Sequence, residues 1–212
     1  MITAVSAVMV GGGYSPGWAA GKQTCQQVLD KAKKTFESLK GFQADLTEVF
    51  QWNLAETTTE TRGKMLYRND NRFRLEFPNQ KIIVDGKTLY RYNSEYQQLL
   101  VEPYTEDSGV ILPKQLLAGL STRWNLEDGS KTASEDSTGY RLDLIAKDQE
   151  SAFRYVTVWI NPSNWLVCKA LVDDVQGNRT VYRIDQIVLN PVLHDSLFQV
   201  HVPKGTETID LR

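Results

Sequence analysis

The chain has 212 residues, of which 41% are hydrophobic and 24% charged, enough apolar material for one substantial core. Its formal net charge is −2 and its lysines and arginines form no block. That excludes a nucleic-acid surface, which needs concentrated basic charge. Two cysteines in a chain this size are no disulfide framework. Two buried free thiols are expected, with a Cys25–Cys168 bridge as the alternative.

Residues 2–10 are an apolar run too short to span a bilayer, followed by small residues through Ala20. They read as the apolar and cleavage regions of a secretory signal, or else as a disordered leader. The charged segment expected in front is missing, so the natural start is expected upstream of Met1. Residues 1–20 are therefore set apart, and 21–212 are read as one domain.

From Thr24 to Lys40, Cys25, Val28, Leu29, Ala32, Phe36 and Leu39 recur at three and four, one stripe of an amphipathic helix. Thr24 suits its start, and Gly41 stands where a left-handed cap belongs. From Phe42 the period becomes two, with Phe42, Ala44, Leu46, Phe50, Trp52 and Leu54 on one side and Glu48 as the exception. Thr57 to Tyr67 is the next strand. Between Gly63 and Asn93, turn signals at Asn69-Asp70-Asn71, Pro78-Asn79 and Asp85-Gly86 separate a meander of four short strands. Met65 and Tyr67 share a side of it, as do Phe73, Leu75 and Phe77. Tyr96 to Pro103 adds a strand.

A short apolar helical insertion follows, with Leu112, Leu116, Leu117 and Leu120 on one edge and Pro113 in its first turn. Strands then resume at Arg123–Glu127, Tyr140–Ala146, Phe153–Trp159, Trp165–Val172 and Thr180–Leu189, with a short one at Phe198–Val202. About ten strands and one covering helix result.

Catalytic constellations do not emerge. The two histidines, His194 and His201, lack metal-pair spacing, and Asp173-Asp174 lacks the Glu that would complete a calcium loop. A solvated turn is the simpler account of the latter. No cofactor and no metal are expected, and the chain is not read as an enzyme. What stands out is a surplus of large apolar side chains for one amphipathic helix to cover. A sheet closed on itself would bury them as core. An incompletely closed one would offer them to a hydrophobic ligand. Periodicity alone leaves both open.

The run Ser38-Leu39-Lys40-Gly41-Phe42-Gln43-Ala44-Asp45-Leu46, then Gly63-x-Met65-x-Tyr67, Arg72-Phe73-Arg74-Leu75 and Val84-Asp85-Gly86-Lys87-Thr88-Leu89-Tyr90-Arg91-Tyr92-Asn93, resembles the periplasmic outer-membrane lipoprotein carrier family, LolA. Leu197-Phe198-Gln199-Val200 with Pro203-Lys204-Gly205 resembles its closing strand. The resemblance implies a mainly β, α+β fold: a half-open, strongly curved antiparallel β-barrel with a helical lid over an apolar cavity. It implies a monomeric periplasmic carrier that takes acylated lipoproteins from an inner-membrane ABC transporter and delivers them to an outer-membrane receptor lipoprotein.

On that resemblance, Leu46, Phe50, Trp52, Met65, Phe73, Leu75, Phe77 and Leu89 line the cavity, and Leu112, Leu116, Leu117 and Leu120 belong to the lid. Familiar members carry Arg-Pro at the turn before the Phe73 strand, and that Arg latches the lid. This chain reads Arg68-Asn69-Asp70, which makes Arg68 the candidate latch, with Arg72 and Arg74 as alternatives. The competing reading from a different class is a regulatory or sensor module on the same fold, binding lipoprotein or a protein partner.

Overall fold

A computed structural model describes residues 23–105, 124–127, 139–148, 151 and 153–212. One α-helix and twelve strands are defined within them: α1 (Cys25–Ser38), β1 (Gly41–Trp52), β2 (Thr57–Arg68), β3 (Arg72–Glu76), β4 (Gln80–Asp85), β5 (Thr88–Asn93), β6 (Gln98–Pro103), β7 (Trp124–Leu126), β8 (Tyr140–Ala146), β9 (Phe153–Ile160), β10 (Val167–Asp174), β11 (Arg179–Leu189) and β12 (Glu207–Asp210). The strands form a single open sheet in the order β12-β6-β5-β4-β3-β2-β1-β11-β10-β9-β8-β7. Every pairing is antiparallel except β12 on β6. Its two end strands, β12 and β7, do not pair with each other, so the sheet is not closed.

α1 begins where the sequence places it. Thr24 Oγ1 accepts from Gln27 N–H at 3.2 Å, and Thr24 N–H donates to Gln27 Oε1 at 2.9 Å. This reciprocal box satisfies two backbone donors that the helix cannot. The expected left-handed cap at Gly41 is absent: the helix ends at Ser38, Leu39 is extended, and Gly41 opens β1. Gly41 is required for a different reason. A Cβ there would lie 2.4 Å from Tyr67 O on β2.

Turn chemistry sets the meander. The β2–β3 turn has three residues, with Asn71 left-handed at φ 65, a known solution for short hairpins. In the β4–β5 hairpin the register centres on Gly86-Lys87, one place beyond the expected Asp85-Gly86. Gly86 is left-handed at φ 108, and the Asp85 carboxylate accepts from Lys87 and Thr88 N–H at 3.0 and 2.9 Å. Asp85 thus organises the turn from outside it, as Asx residues do.

A single apolar cluster gathers α1 and one face of the sheet, called here the inner face. Val28, Leu29, Ala32 and Phe36 of α1 meet Phe42, Ala44 and Leu46 of β1, Met65 and Tyr67 of β2, Phe73 and Leu75 of β3, and Leu142, Leu144, Val156, Val158 and Ala170 of β8–β10. Residues from both wings of the sheet share this cluster, so the sheet curls around it.

The outer face is covered in its first half by the segment after β11. That segment passes through a 3₁₀ turn, Asp195–Phe198, which touches β3 and β4, and ends in β12 beside β6. Phe198 is buried, and Val200 and Val202 pack against Tyr92, Leu99 and Val101. The strand expected at Phe198–Val202 is therefore not one, and the closing strand is Glu207–Asp210. Residues 198–202 hold the sheet by side-chain packing, and ladder bonds resume only after the Pro203–Gly205 turn.

Gly63 sits at a close approach on the inner face. A Cβ there would stand 2.4 Å from Glu76 O and 2.6 Å from Cδ1 of the Phe77 ring. Phe77 is itself buried and has nowhere to withdraw. Gly63→Ala is expected to cost about 1–3 kcal/mol, the usual penalty for overpacking, read as a lowered urea midpoint with an unchanged slope.

Candidate functional site

The inner face is the candidate site, and it divides along the strands. Near α1 it is closed: Tyr67 lies against Phe36 and Phe42, with ring centroids 5.0 and 5.4 Å apart. Burial, with Asp70 and Tyr104 nearby, pushes the Tyr67 phenol up to about 12. Lys31 of α1 sits 3.8 Å over Trp165, which stacks on Tyr140. Leu46, Met65, Phe73, Leu75, Phe77 and Leu89 all lie buried in the inner cluster.

Toward the β1–β2 loop the face opens. Phe50 is half-buried and Trp52 is 48% exposed. Trp52, expected inside by alternation, lies beyond the end of the core. β11 accompanies β1 only as far as Gln51, and β3 accompanies β2 only from Lys64 onward. Leu112, Leu116, Leu117 and Leu120 lie outside the described residues.

Among the described residues, charged groups are sparse on this face. Arg91 Nε stands 3.2 Å from Glu102 Oε2, on the Leu89 side of β5 and β6. Glu48, directly across from Tyr182 in the β1–β11 ladder, shares a hydrogen bond with its phenol. Burial pushes both groups up. The carboxylate discourages ionisation of the phenol further, while the phenol's hydrogen bond favours the carboxylate. The sequence shows Glu48 as a break in an apolar phase, but its partner is found only across the sheet.

The three arginines considered for a latch lie on the other side. Arg68 donates to Leu193 O at 2.8 Å and to Asp195 Oδ1 at 2.7 Å, and its guanidinium lies 5.2 Å from the Phe198 ring centre. Arg72 meets Asp195 Oδ1 at 2.7 Å, and Arg74 donates to Leu197 O at 3.0 Å. Among the described residues, then, these side chains fasten the C-terminal segment to the outer face; the bonds just given do not reach α1. Alternation explains it: Tyr67 and Phe73 point inward, so their neighbours point out.

Other groups singled out in the sequence have structural work. The Asp174 carboxylate accepts from Gln176 and Asn178 N–H at 2.8 Å each, forming the β10–β11 turn. Cys25 and Cys168 are not joined in a disulfide, and both are partly exposed rather than buried. His194 and His201 are exposed. Among the described residues no group of His, Cys, Asp and Glu is placed to hold a metal ion.

With this geometry in view, the chain can be set beside known proteins. The family model described as "Outer membrane lipoprotein carrier protein LolA" matches residues 37–201. An outer-membrane lipoprotein carrier protein from Methylobacillus flagellatus is 23% identical over 184 residues, 85% of this chain and 88% of that one. One from Methylococcus capsulatus is 24% identical over 200 residues, 92% of each chain. The crystal structure of an uncharacterised conserved protein from Thermus thermophilus superposes with a TM-score of 0.54 at 15% identity, covering 89% of this chain and 99% of that one. That last likeness concerns the fold alone.

Arg68→Ala should loosen the C-terminal segment without unfolding the sheet. The expected loss is about 1–3 kcal/mol, as for a charged hydrogen-bond partner, with faster amide exchange confined to residues 193–202. Asp70 and Asp195 are held below the usual carboxylate range, first of all by their hydrogen bonds to Arg68. Their contribution is therefore complete above the unfolded value of about 4 and is lost as pH falls through the lower folded values. Protection factors in the same residues, taken against the intrinsic exchange rate at each pH, should fall below about pH 4 in wild type, and less so in Arg68→Ala.

Proposed function

We propose that this chain, which belongs to the LolA family of outer-membrane lipoprotein carriers, carries the acyl chains of lipoproteins on its inner face across the periplasm. The observation that supports the reading most directly is one continuous apolar cluster on one side of an open sheet, with α1 packed over part of it. Such a face can extend its own core with an apolar guest.

The energetics fit a carrier. Each buried methylene is worth about 0.8 kcal/mol, so a long acyl chain left in water carries a penalty of many kcal/mol. A few hydrophobic contacts made in succession recover it without any bond having to break. Release then requires only that another apolar surface be offered. Nothing in that cycle needs an acid, base or nucleophile, so the proposed role is not enzymatic.

In this reading the protein works as a periplasmic monomer. It receives lipoproteins from an inner-membrane ABC transporter and passes them to an outer-membrane receptor lipoprotein. α1 and the apolar segment with Leu112, Leu116, Leu117 and Leu120 act as the lid, the latter assigned on its sequence. Leu46, Met65, Phe73, Leu75, Phe77 and Leu89 form the floor. Phe50, at the opening end, is the first to meet cargo, with Trp52 at its rim.

The test is mass spectrometry of lipid and lipoprotein co-purifying from periplasm with wild type and with Phe50→Glu. Phe50 is the informative position because it is half-buried, whereas a charge at fully buried Phe73 would attack the fold itself. Acylated lipoprotein on wild type, reduced about tenfold or more on the variant, is the expected result; a tenfold change corresponds to about 1.4 kcal/mol. Wild type recovered with a protein partner and no acylated species would turn the reading to the sensor module.

A further inference from the structure

The inner face carries one acidic side chain set among apolar neighbours. Glu48 follows Leu46 and precedes Phe50 on the same side of β1, at intervals of about 7 Å along the strand. Across the ladders it faces Thr61 of β2 and Tyr182 of β11, and Tyr182 packs against the inner cluster. Among the described residues of β1, β2, β3, β8 and β11, alternation places no other charged side chain on this side. Elsewhere on this side, Arg91 and Glu102 lie out on β5 and β6, where each has the other, and alternation adds Arg154 of β9 and Asp174 of β10, the latter engaged by the backbone of its own turn.

A carboxylate in such surroundings is costly unless its lone pairs are used. It has about four acceptor sites, and the Tyr182 phenol supplies one proton. With the phenol bonded to it, the carboxylate keeps further acceptor sites open for a donor. Its chemistry is therefore selective: a head that brings a hydrogen-bond donor, and above all a positive charge, is welcome, and another carboxylate or phosphate is repelled. Its position, between two apolar side chains of the same strand, puts such a head beside an alkyl chain lying on the face.

We infer that Glu48, held by Tyr182, is a polar anchor of the inner face that takes an N–H donor at the head of an acylated ligand, an ammonium in preference to an amide. This rests on the carrier reading above and adds a head-group preference to it. For a lipid-modified protein the matching group is the α-nitrogen of the modified terminal residue, free as an ammonium or acylated as an amide. An ammonium gains both a charge-assisted hydrogen bond and an ion pair in a medium less polar than water, and it replaces the solvation that Glu48 gives up on burial.

The experiment is displacement of diphenylhexatriene, a reporter with no polar atom, from wild type, Glu48→Gln and Tyr182→Phe. The competitors are dodecylammonium, N-dodecylacetamide, dodecyltrimethylammonium and dodecanoate, all below their micelle concentrations. Dodecyltrimethylammonium has the charge without the N–H, and the amide has the N–H without the charge, so the two sources of preference separate. Wild type is expected to favour dodecylammonium over dodecyltrimethylammonium by about tenfold, in line with a hydrogen bond to a charged group, with dodecanoate weakest. Glu48→Gln, which keeps size and the bond to Tyr182, should abolish the preference while leaving reporter binding intact. Tyr182→Phe should retain it.

The inference is overturned if wild type binds the reporter but shows no preference, or if Glu48→Gln retains the preference. A wild type that takes up no reporter at all defeats the carrier reading, and the anchor with it.

Discussion

The ladder between β1 and β11 is the constraint from which the rest of the structure follows. Most other strand pairs are joined by short turns and close at little entropic cost. This one brings Phe42 against Leu189 and Gln51 against Arg179, and the bond from Asn53 N–H to Asn178 Oδ1 spans 125 residues at its far end. Loop closure grows only slowly with length, about 0.6 kcal/mol per doubling, but it must be met before the contacts form. β1 can bear it because it is long, pairs on both sides, and sends Phe42, Ala44 and Leu46 into the core. Without this seam there would be two separate meanders, each with an exposed apolar face.

Once the seam exists, the chain has to manage a large sheet with two faces and two ends. The inner face is dried by curling and by α1. Half of the outer face is dried by the C-terminal segment, which runs from the middle of the sheet to its edge and finishes as β12. Arg68, Arg72 and Arg74 serve this crossing, because a segment without ladder bonds leaves carbonyls such as Leu193 O and Leu197 O in need of donors. Phe198 then fills the space that these arginines frame. The parallel pairing of β12 is a consequence of that route.

Much of this is legible in the sequence where local chemistry decides. The capping box at Thr24, the three-residue turn at Asn69–Asn71 and the inward phase of Met65, Phe73 and Leu75 each follow from a few adjacent residues. Reading fails where a distant segment sets the outcome. Alternation carries the apolar phase of β1 on to Trp52 but does not tell where its neighbours stop. A family pattern suggests lid contacts for the arginines, while the partner of Arg68 comes from 125 residues further on. Phe198 looks like a strand residue because nothing near it in sequence reveals the outer-face hollow it fills. Glu48 is visible as an anomaly, and its meaning lies in Tyr182.

These failures also show which part of the inner face is free to act. A carrier on an open sheet faces a conflict, since the side chains that would greet cargo are the ones that hold the fold together. Phe73 and Leu89 are fully buried, and a core position of that kind cannot be traded against a guest without a cavity cost of several kcal/mol. Phe50, Glu48 and Trp52 are different: they stand where β1 and β2 extend past β3, and the fold asks less of them. The gradient along β1, from buried Phe42 to exposed Trp52, therefore separates a structural end from a working end of one strand. A polar anchor belongs at that boundary. Placed deeper, Glu48 would be an uncompensated charge in the core; placed further out, water would satisfy it and no ligand would be distinguished.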